Sequence, residues 1–143
     1  MNAPALPISR KLSVEIVEAD AERASATGAL VLGRDIRFST QDLESYANAN
    51  WSPVVFDAMV VAAAVEYCDR SLRRSVRAWA RAFHVRLPVH EPARWNAPEV
   101  YDALHDALGF LTGDSWHFTF VPRLHSEPPP RQQTLDLPPE AKA

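Results

Sequence analysis

The stretch SPVVFDAMVVAAAVEYCDRSL, residues 52–72, is the strongest helical pattern in the chain and decides its architecture. Ser52 stands where a helix N-cap is expected, and Pro53 occupies the first helical position, where its missing N–H costs nothing. Apolar residues then recur at spacings of three and four along one stripe, which consists of Val54, Ala58, Val61, Val65, Cys68 and Leu72. Because further apolar residues widen this stripe to most of the circumference, we expect it to be the central helix of the core, buried on several sides.

The N-terminal part of the chain is predicted to form short strands. Residues 12–18 alternate between apolar and polar side chains, which is the strand period. Two further stretches, 27–32 and 35–38, flank Gly33 in the manner of a hairpin. We therefore expect antiparallel pairing in this region.

Two longer strands and a second helix are predicted after the central helix. Residues 82–89 and 116–121 alternate with the strand period. Between them, a helix is expected to begin near Asn96 and to end at Gly113, a residue suited to a helix C-terminus. The apolar side of this helix consists of Val100, Leu104, Ala107 and Leu111.

This order of elements defines the expected fold class as α+β or three-layer α/β. Short N-terminal antiparallel strands are followed by helix, strand, helix and strand. A ribonuclease-H-like core has the same order, and a ferredoxin-like arrangement is the smaller alternative; neither analogy carries a function. The expected boundaries are an N-terminal tail at residues 1–10, one domain at 11–123 and a proline-rich tail or linker at 124–143.

Composition restricts the class of protein. The chain has 143 residues, a net charge of −3 and one cysteine, Cys68, which excludes an internal disulfide framework and a cysteine-rich zinc module. Its apolar runs fall short of the ~18 residues that span a membrane. The N-terminus lacks the basic and apolar regions of a signal peptide. We expect a cytoplasmic protein without a membrane partner.

Motifs of the common catalytic classes are missing from the sequence. With only four glycines, the chain has no Gly-rich loop to cradle nucleotide phosphates, and it has no Gly-x-Ser-x-Gly nucleophile elbow. We therefore expect no cofactor, assign no catalytic residue and do not expect this chain alone to be an enzyme.

A metal site has four candidate ligands, which are Asp57, His84, Asp106 and His117. His84 and His117 belong to the same type of strand face, so neighbouring strands would place them side by side. A metal site also needs a third ligand, and the spacing of the sequence supplies none. The ordinary interpretation is a pair of half-buried histidines, with carboxylates that are solvated or favoured by a helix dipole.

Basic residues concentrate between residues 70 and 94, where seven arginines accompany a single acidic residue, Glu91. Residues 1–69 hold ten acidic and five basic residues. The arginines form either a solvated, ion-paired face or a patch that binds an anion or a partner. The candidates for such a patch are Arg73, Arg74, Arg77, Trp79, Arg81, Arg86 and Trp95.

Three segments together carry a resemblance to a known group of proteins. They are FDAMVVAAAVEYCDR (residues 56–70), VHEPARWNAP (89–98) and ALGFLTGDSW (107–116). They resemble the N-terminal region of bacterial proteins similar to 7-cyano-7-deazaguanine synthase, some of which are associated with anti-phage gene clusters. The likeness covers about residues 12–123 of the sequence.

The resemblance implies an accessory role. In such queuosine-type synthase relatives, this region precedes an ATP-pyrophosphatase domain whose Ser-Gly-Gly-type loop binds the nucleotide phosphates. The present sequence contains no such loop, so no catalytic residue is carried over. The leading hypothesis is a non-catalytic accessory domain that binds a protein partner or an attached catalytic domain. The alternatives are a nucleic-acid or nucleotide-binding module that uses the arginines of residues 70–94, and a degenerate metal-dependent nuclease.

Overall fold

A computed structural model describes residues 8–19, 29–37, 52–76 and 80–125 of the chain. Its strands and helices follow one another along the sequence as β1 (Ile8–Val17), β2 (Leu30–Val31), α1 (Pro53–Ser71), β3 (Ala80–Val89), α2 (Pro92–Trp95), α3 (Pro98–Thr112) and β4 (Ser115–Pro122). β1 begins within the segment that was expected to be a tail. No helix in these ranges combines the length and the apolar character needed to cross a membrane.

The four strands form one sheet in the order β2-β1-β3-β4, and every pair in it is parallel. Of the two expected classes, α+β and three-layer α/β, the parallel sheet confirms α/β, and the described helices pack on one face of it. The expected antiparallel pairing at the N-terminus is wrong, because Ile16 and Val17 of β1 pair in parallel with Leu30 and Val31 of β2. Alternation reports that one face of a strand is buried, and it does not report the direction of the neighbouring strand.

The expected hairpin around Gly33 is replaced by a tight turn that follows β2. Gly33 has a φ of 89°, in the left-handed region that favours glycine. Leu32 and Ile36 form a single bridge across this turn, also in the parallel sense. The carboxylate of Asp35 accepts a hydrogen bond from the backbone N–H of Val31 at 2.7 Å and holds the turn closed.

Helix α1 begins with Pro53 at its N-terminus, as expected, and Ser52 has the extended backbone of an N-cap. The face that it buries differs from the predicted stripe. Ala58 is exposed, whereas its neighbour Asp57 is fully buried. The buried positions recur every four residues at Phe56, Val60, Ala64 and Cys68. The helix therefore packs with one side against the sheet, instead of being surrounded.

The core lies between the helices and one face of the sheet. On β3, the side chains of Phe83, Val85, Leu87 and Val89 are buried, as the alternation predicted. In the register of the sheet, Val85 lies between Val14 of β1 and Phe118 of β4. The same cluster contains Phe56, Val60, Val61, Ala64 and Cys68 of α1, Trp95 of α2, and Trp116 and Phe120 of β4. Tyr101, Leu104 and Leu108 of α3 pack against it, so all three helices contribute. The opposite face of the sheet carries polar side chains, among them Ser13, His84, Arg86, His117 and Thr119.

The outer strand β4 is covered at its edge by a side chain of α3. The hydroxyl of Tyr101 accepts a hydrogen bond from the backbone N–H of Phe118 at 3.1 Å and lies 3.4 Å from the carbonyl oxygen of the same residue. Both backbone groups would otherwise be open to pairing with another strand. Tyr101 thus ties α3 to β4 and protects the sheet edge.

Candidate functional site

The strand order creates the crevice at which α/β proteins usually bind ligands. From β1 the chain continues to β2 on one side of the sheet, and from β3 it continues to β4 on the other side, so the connections that leave these two neighbouring strands diverge at their carboxyl ends. In open parallel sheets, ligands bind outside the carboxyl ends of the strands at such a switch point. Here, Glu18 follows β1 and His90 follows β3. The chemistry of this crevice therefore depends on what these two residues contact.

His90 is held by a buried carboxylate from α1. The side chain of Asp57 is fully buried and accepts hydrogen bonds from the backbone N–H of His90 at 3.0 and 2.9 Å. It also lies 2.6 Å from Nδ1 of His90, which places the ring proton on that nitrogen, and it accepts a bond from Nε1 of Trp95 at 3.3 Å. Phe56 meets the His90 ring edge-on at 5.9 Å. Asp57 thus fixes the chain after β3 to the N-terminal part of α1.

Glu18 performs the same task on the other side of the crevice. Its carboxylate accepts hydrogen bonds from the backbone N–H groups of Leu124 at 2.7 Å and His125 at 3.1 Å, and from Nε of Arg123 at 3.2 Å. Burial opposes the charge of Glu18, but these hydrogen bonds and the attraction of Arg123 outweigh it and lower the pKa of the carboxyl group. The guanidinium of Arg123 also stacks on Phe56 at 5.0 Å. Glu18 therefore anchors the segment that follows β4.

Two members of the predicted arginine patch, Arg74 and Arg81, belong to a buried ion network. This network lies at the amino end of the sheet, opposite the crevice. Arg81 is only 2% exposed, and its Nη2 lies 2.7 Å from Asp114 and 2.6 Å from Asp69. Arg74 pairs with the same Asp114 at 2.9 Å. The network connects the end of α1 to the starts of β3 and β4. In this structure, Arg81 is a structural residue and its side chain offers no surface to a partner.

The other described members of that patch do not meet in one place. Trp95 is buried, with its ring 5.4 Å from Phe120, so it too offers no contact surface. Arg86 is half exposed on β3 and lies 3.8 Å from Glu15, whereas Arg73 is exposed after the end of α1. The two remaining members, Arg77 and Trp79, lie outside the described residues.

The structure brings together two of the four candidate metal ligands. His84 and His117 are register partners on β3 and β4, and their ring centroids are 4.5 Å apart. Each ring also lies beside a hydroxyl group. His84 is 3.1 Å from the hydroxyl of Thr119, and His117 is 3.2 Å from the hydroxyl of Tyr101. Asp57 lies on the other side of the sheet, and Asp106 is exposed on α3, beside His105. Within the described ranges, no three His, Cys, Asp or Glu side chains are grouped to hold a metal ion.

A groove of about 560 Å³ lies along β1 and is lined by residues from both faces of the sheet. Its polar lining includes Ser13, Glu15, His84 and Arg86, and Tyr67 of α1 adds an aromatic ring. Its size is within the range of small-molecule sites. Because Glu15 and Arg86 lie close to each other, the two charges in it are partly neutralised.

The surface that sequence reasoning missed is the outer side of α3. No residue of this helix is fully buried. Its inner side packs on the core, whereas Phe110 is 90% exposed, Leu111 75% and Val100 36%. Together with two exposed alanines, these residues form an apolar band that we call the outer stripe: Val100, Ala103, Ala107, Phe110 and Leu111. At 100° per residue, the stripe covers an arc of about 100°, which is wide enough to pack against another element.

An acidic row borders the outer stripe. Glu99, Asp102 and Asp106 are exposed at spacings of three and four on the side away from the core, and α3 contains no Lys or Arg. Among the described residues, no Lys or Arg nitrogen lies within 4.0 Å of these three carboxylates. Apolar periodicity alone had assigned Val100, Ala107 and Leu111 to one side together with Leu104. The apolar arc of α3 is wider than contact with one sheet requires. This width could have indicated that Val100, Ala107 and Leu111 lie outside the core contact that Leu104 makes.

No family model, curated protein or solved structure matches the chain.

Proposed function

We propose that this chain is a non-catalytic accessory domain that binds a protein partner through the outer stripe of α3. The partner is an attached or separately encoded ATP-pyrophosphatase enzyme similar to 7-cyano-7-deazaguanine synthase, and some proteins of this kind are associated with anti-phage gene clusters. The observation that carries the proposal is the exposure of Phe110 and Leu111 on a helix whose other side already packs on the sheet.

The energetic reason is the size of these side chains. Full burial of a Phe or Leu side chain stabilises by roughly 1.5–3 kcal/mol relative to leaving it in water. Phe110 and Leu111 forgo most of this stabilisation in the isolated chain. Contiguous apolar patches with a polar border mark protein–protein contacts, in which a few large side chains dominate the binding energy.

The buried polar groups support a structural rather than a catalytic use of the fold. Glu18 and Asp57, which border the switch-point crevice, accept hydrogen bonds from backbone and side-chain donors of this chain. Asp114 is occupied in the same way by Arg74 and Arg81. These carboxylates connect strand ends and helices, and such a scaffold presents α3 in a fixed orientation.

The experiment is a capture assay with the synthase-like enzyme, using the chain as bait. We expect association at micromolar concentration, and loss of about tenfold or more in affinity for Phe110→Ser. The matched control is Leu124→Ser, since Leu124 is 71% exposed but lies after β4 and not on α3. Failure of the wild-type chain to bind, or equal binding by Phe110→Ser, would contradict the proposal.

The alternative of a nucleotide-binding module is favoured by one observation, the groove beside β1. Arg86 and His84 supply donors for an anion there, and Tyr67 supplies an aromatic surface. This function predicts binding of a nucleotide such as ATP that weakens with salt and with Arg86→Ala. Arg73→Ala, which removes an exposed charge outside the groove, is its control. Binding that both variants leave unchanged would exclude it.

A further inference from the structure

We infer that the segment seated on the outer stripe is a basic amphipathic helix, an inference that rests on the proposed function and names the chemistry of the partner. The outer stripe runs from Val100 to Leu111, about 16 Å at 1.5 Å per residue. That length is three helical turns. It matches a partner helix that presents apolar side chains at positions i, i+3, i+4 and i+7.

Shape favours a helix over a strand as the occupant. The outer stripe is a ridge of small and large side chains at spacings of three and four, and such ridges fit the grooves between rows of side chains on another helix. The two alanines, Ala103 and Ala107, allow the partner backbone to come close, while Phe110 and Leu111 project at one end. The strand edge that is nearest to α3, on β4, is already bonded by Tyr101 at Phe118.

The acidic row beside the outer stripe determines which charged side chains should flank the apolar stripe of the partner helix. Glu99, Asp102 and Asp106 lie along the outer stripe without a described Lys or Arg beside them. Lys or Arg side chains on the facing side of a partner helix would pair with these carboxylates, as flanking charges do when they set the choice of partner between packed helices. The acidic row therefore selects a basic partner and rejects an acidic one.

Two other occupants are disfavoured by the same charges. A second copy of this chain, packed through α3, would bring six carboxylates together, and α3 offers no Lys or Arg to pair with them. An anionic membrane surface would repel Glu99, Asp102 and Asp106, whereas helices that lie on such surfaces carry basic residues on their polar side. The basic protein helix satisfies both the apolar stripe and the acidic row.

The test uses two synthetic helical peptides of about 18 residues, or five turns, that share one leucine stripe. One has lysines beside the stripe and the other has glutamates. Binding to the whole chain is measured by fluorescence anisotropy at low and high salt. The wild-type chain should prefer the lysine peptide by about tenfold, and the preference should shrink at high salt.

The decisive variant reverses the acidic row through Glu99→Lys, Asp102→Lys and Asp106→Lys. These positions are exposed, so the variant should keep its fold, as circular dichroism will show. It should prefer the glutamate peptide instead. Equal binding of both peptides, no binding of either, or an unchanged preference in the variant would overturn the inference. Capture of the synthase-like enzyme, with loss by Phe110→Ser, would still support the proposed function in that case.

Discussion

Substitution of Asp114 by Asn removes the charge at the centre of the ion network that joins α1, β3 and β4. The carboxylate accepts five hydrogen bonds, three from Arg81 and two from Arg74, at distances between 2.7 and 3.2 Å. Its side chain is fully buried, and that of Arg81 is 2% exposed. The Asn side chain presents an NH₂ group to these donors, so at least one buried N–H loses its acceptor.

The expected cost follows from the burial of Arg81. Removing one partner of a buried ion pair destabilises a protein by about 3–5 kcal/mol, because the remaining charge stays buried and unpaired. Arg81 keeps its contact with Asp69, which places the cost of Asp114→Asn near the lower limit, at about 3 kcal/mol. Asp69→Asn is the matched control. Its carboxylate is 55% exposed and Arg81 keeps Asp114, so this change should cost clearly less than Asp114→Asn.

The assay is urea unfolding followed by tryptophan fluorescence, since Trp95 and Trp116 are buried and will report the loss of the core. Burial opposes the charge of Asp114, but the hydrogen bonds and charges of Arg81 and Arg74 lower its pKa below the ordinary value. Its stabilisation is therefore present above about pH 4 and is lost as the pH falls through the folded-state pKa. The pH dependence of Asp114→Asn should be shallower than that of the wild type in this acid range. A loss of under 1 kcal/mol near neutral pH would refute this account of the network.

Three further predictions concern other parts of the fold. Glu18→Gln should cost about 1–2 kcal/mol and speed up amide exchange at Leu124, because the anchor of the segment after β4 is weakened; unchanged exchange would contradict this. Tyr101→Phe should cost about 1 kcal/mol and expose the Phe118 amide at the edge of β4, which the same exchange experiment measures. Burial raises the pKa of the Cys68 thiol to about 11, so a thiol reagent at pH 8 should label it only after unfolding; rapid labelling of the native chain would show the site to be accessible.

The strands were predictable from the sequence, but their direction was not. Phe83 and His84 already differ in character as expected for a strand with one buried and one open face, and the structure confirms that alternation on β3. Parallel sheets usually have both faces covered and show continuous apolar runs. Here the described helices cover one face only, so the sequence has the alternation that is typical of antiparallel sheets. The misleading signal has a physical cause, the open polar face that includes His84, Arg86 and His117.

The ion network was not predictable from local patterns. Arg81 and Asp114 are 33 residues apart, and Arg74 and Asp114 are 40 apart. A run of arginines between residues 70 and 94 has the same composition whether its members are solvated or buried. What distinguishes Arg81 is its place at the start of β3, next to the residue that precedes β4. Only the strand register places these two residues together.

The two long helices differ in the size of the apolar residues that they expose, although both have a wide apolar arc. Both α1 and α3 carry more apolar positions than their contact with the sheet uses. On α1, the exposed surplus includes the small residues Ala58 and Ala62. On α3, it includes Phe110 and Leu111, which are exposed by 90% and 75%.

A buried methylene group contributes about 0.8 kcal/mol, so an exposed alanine forgoes little and needs no partner. An exposed Phe and Leu side by side forgo several times as much, and the bordering acidic row, which has no Lys or Arg beside it among the described residues, favours a basic partner. The exposed alanines of α1 therefore need no partner, whereas Phe110 and Leu111 of α3 point to a docking surface.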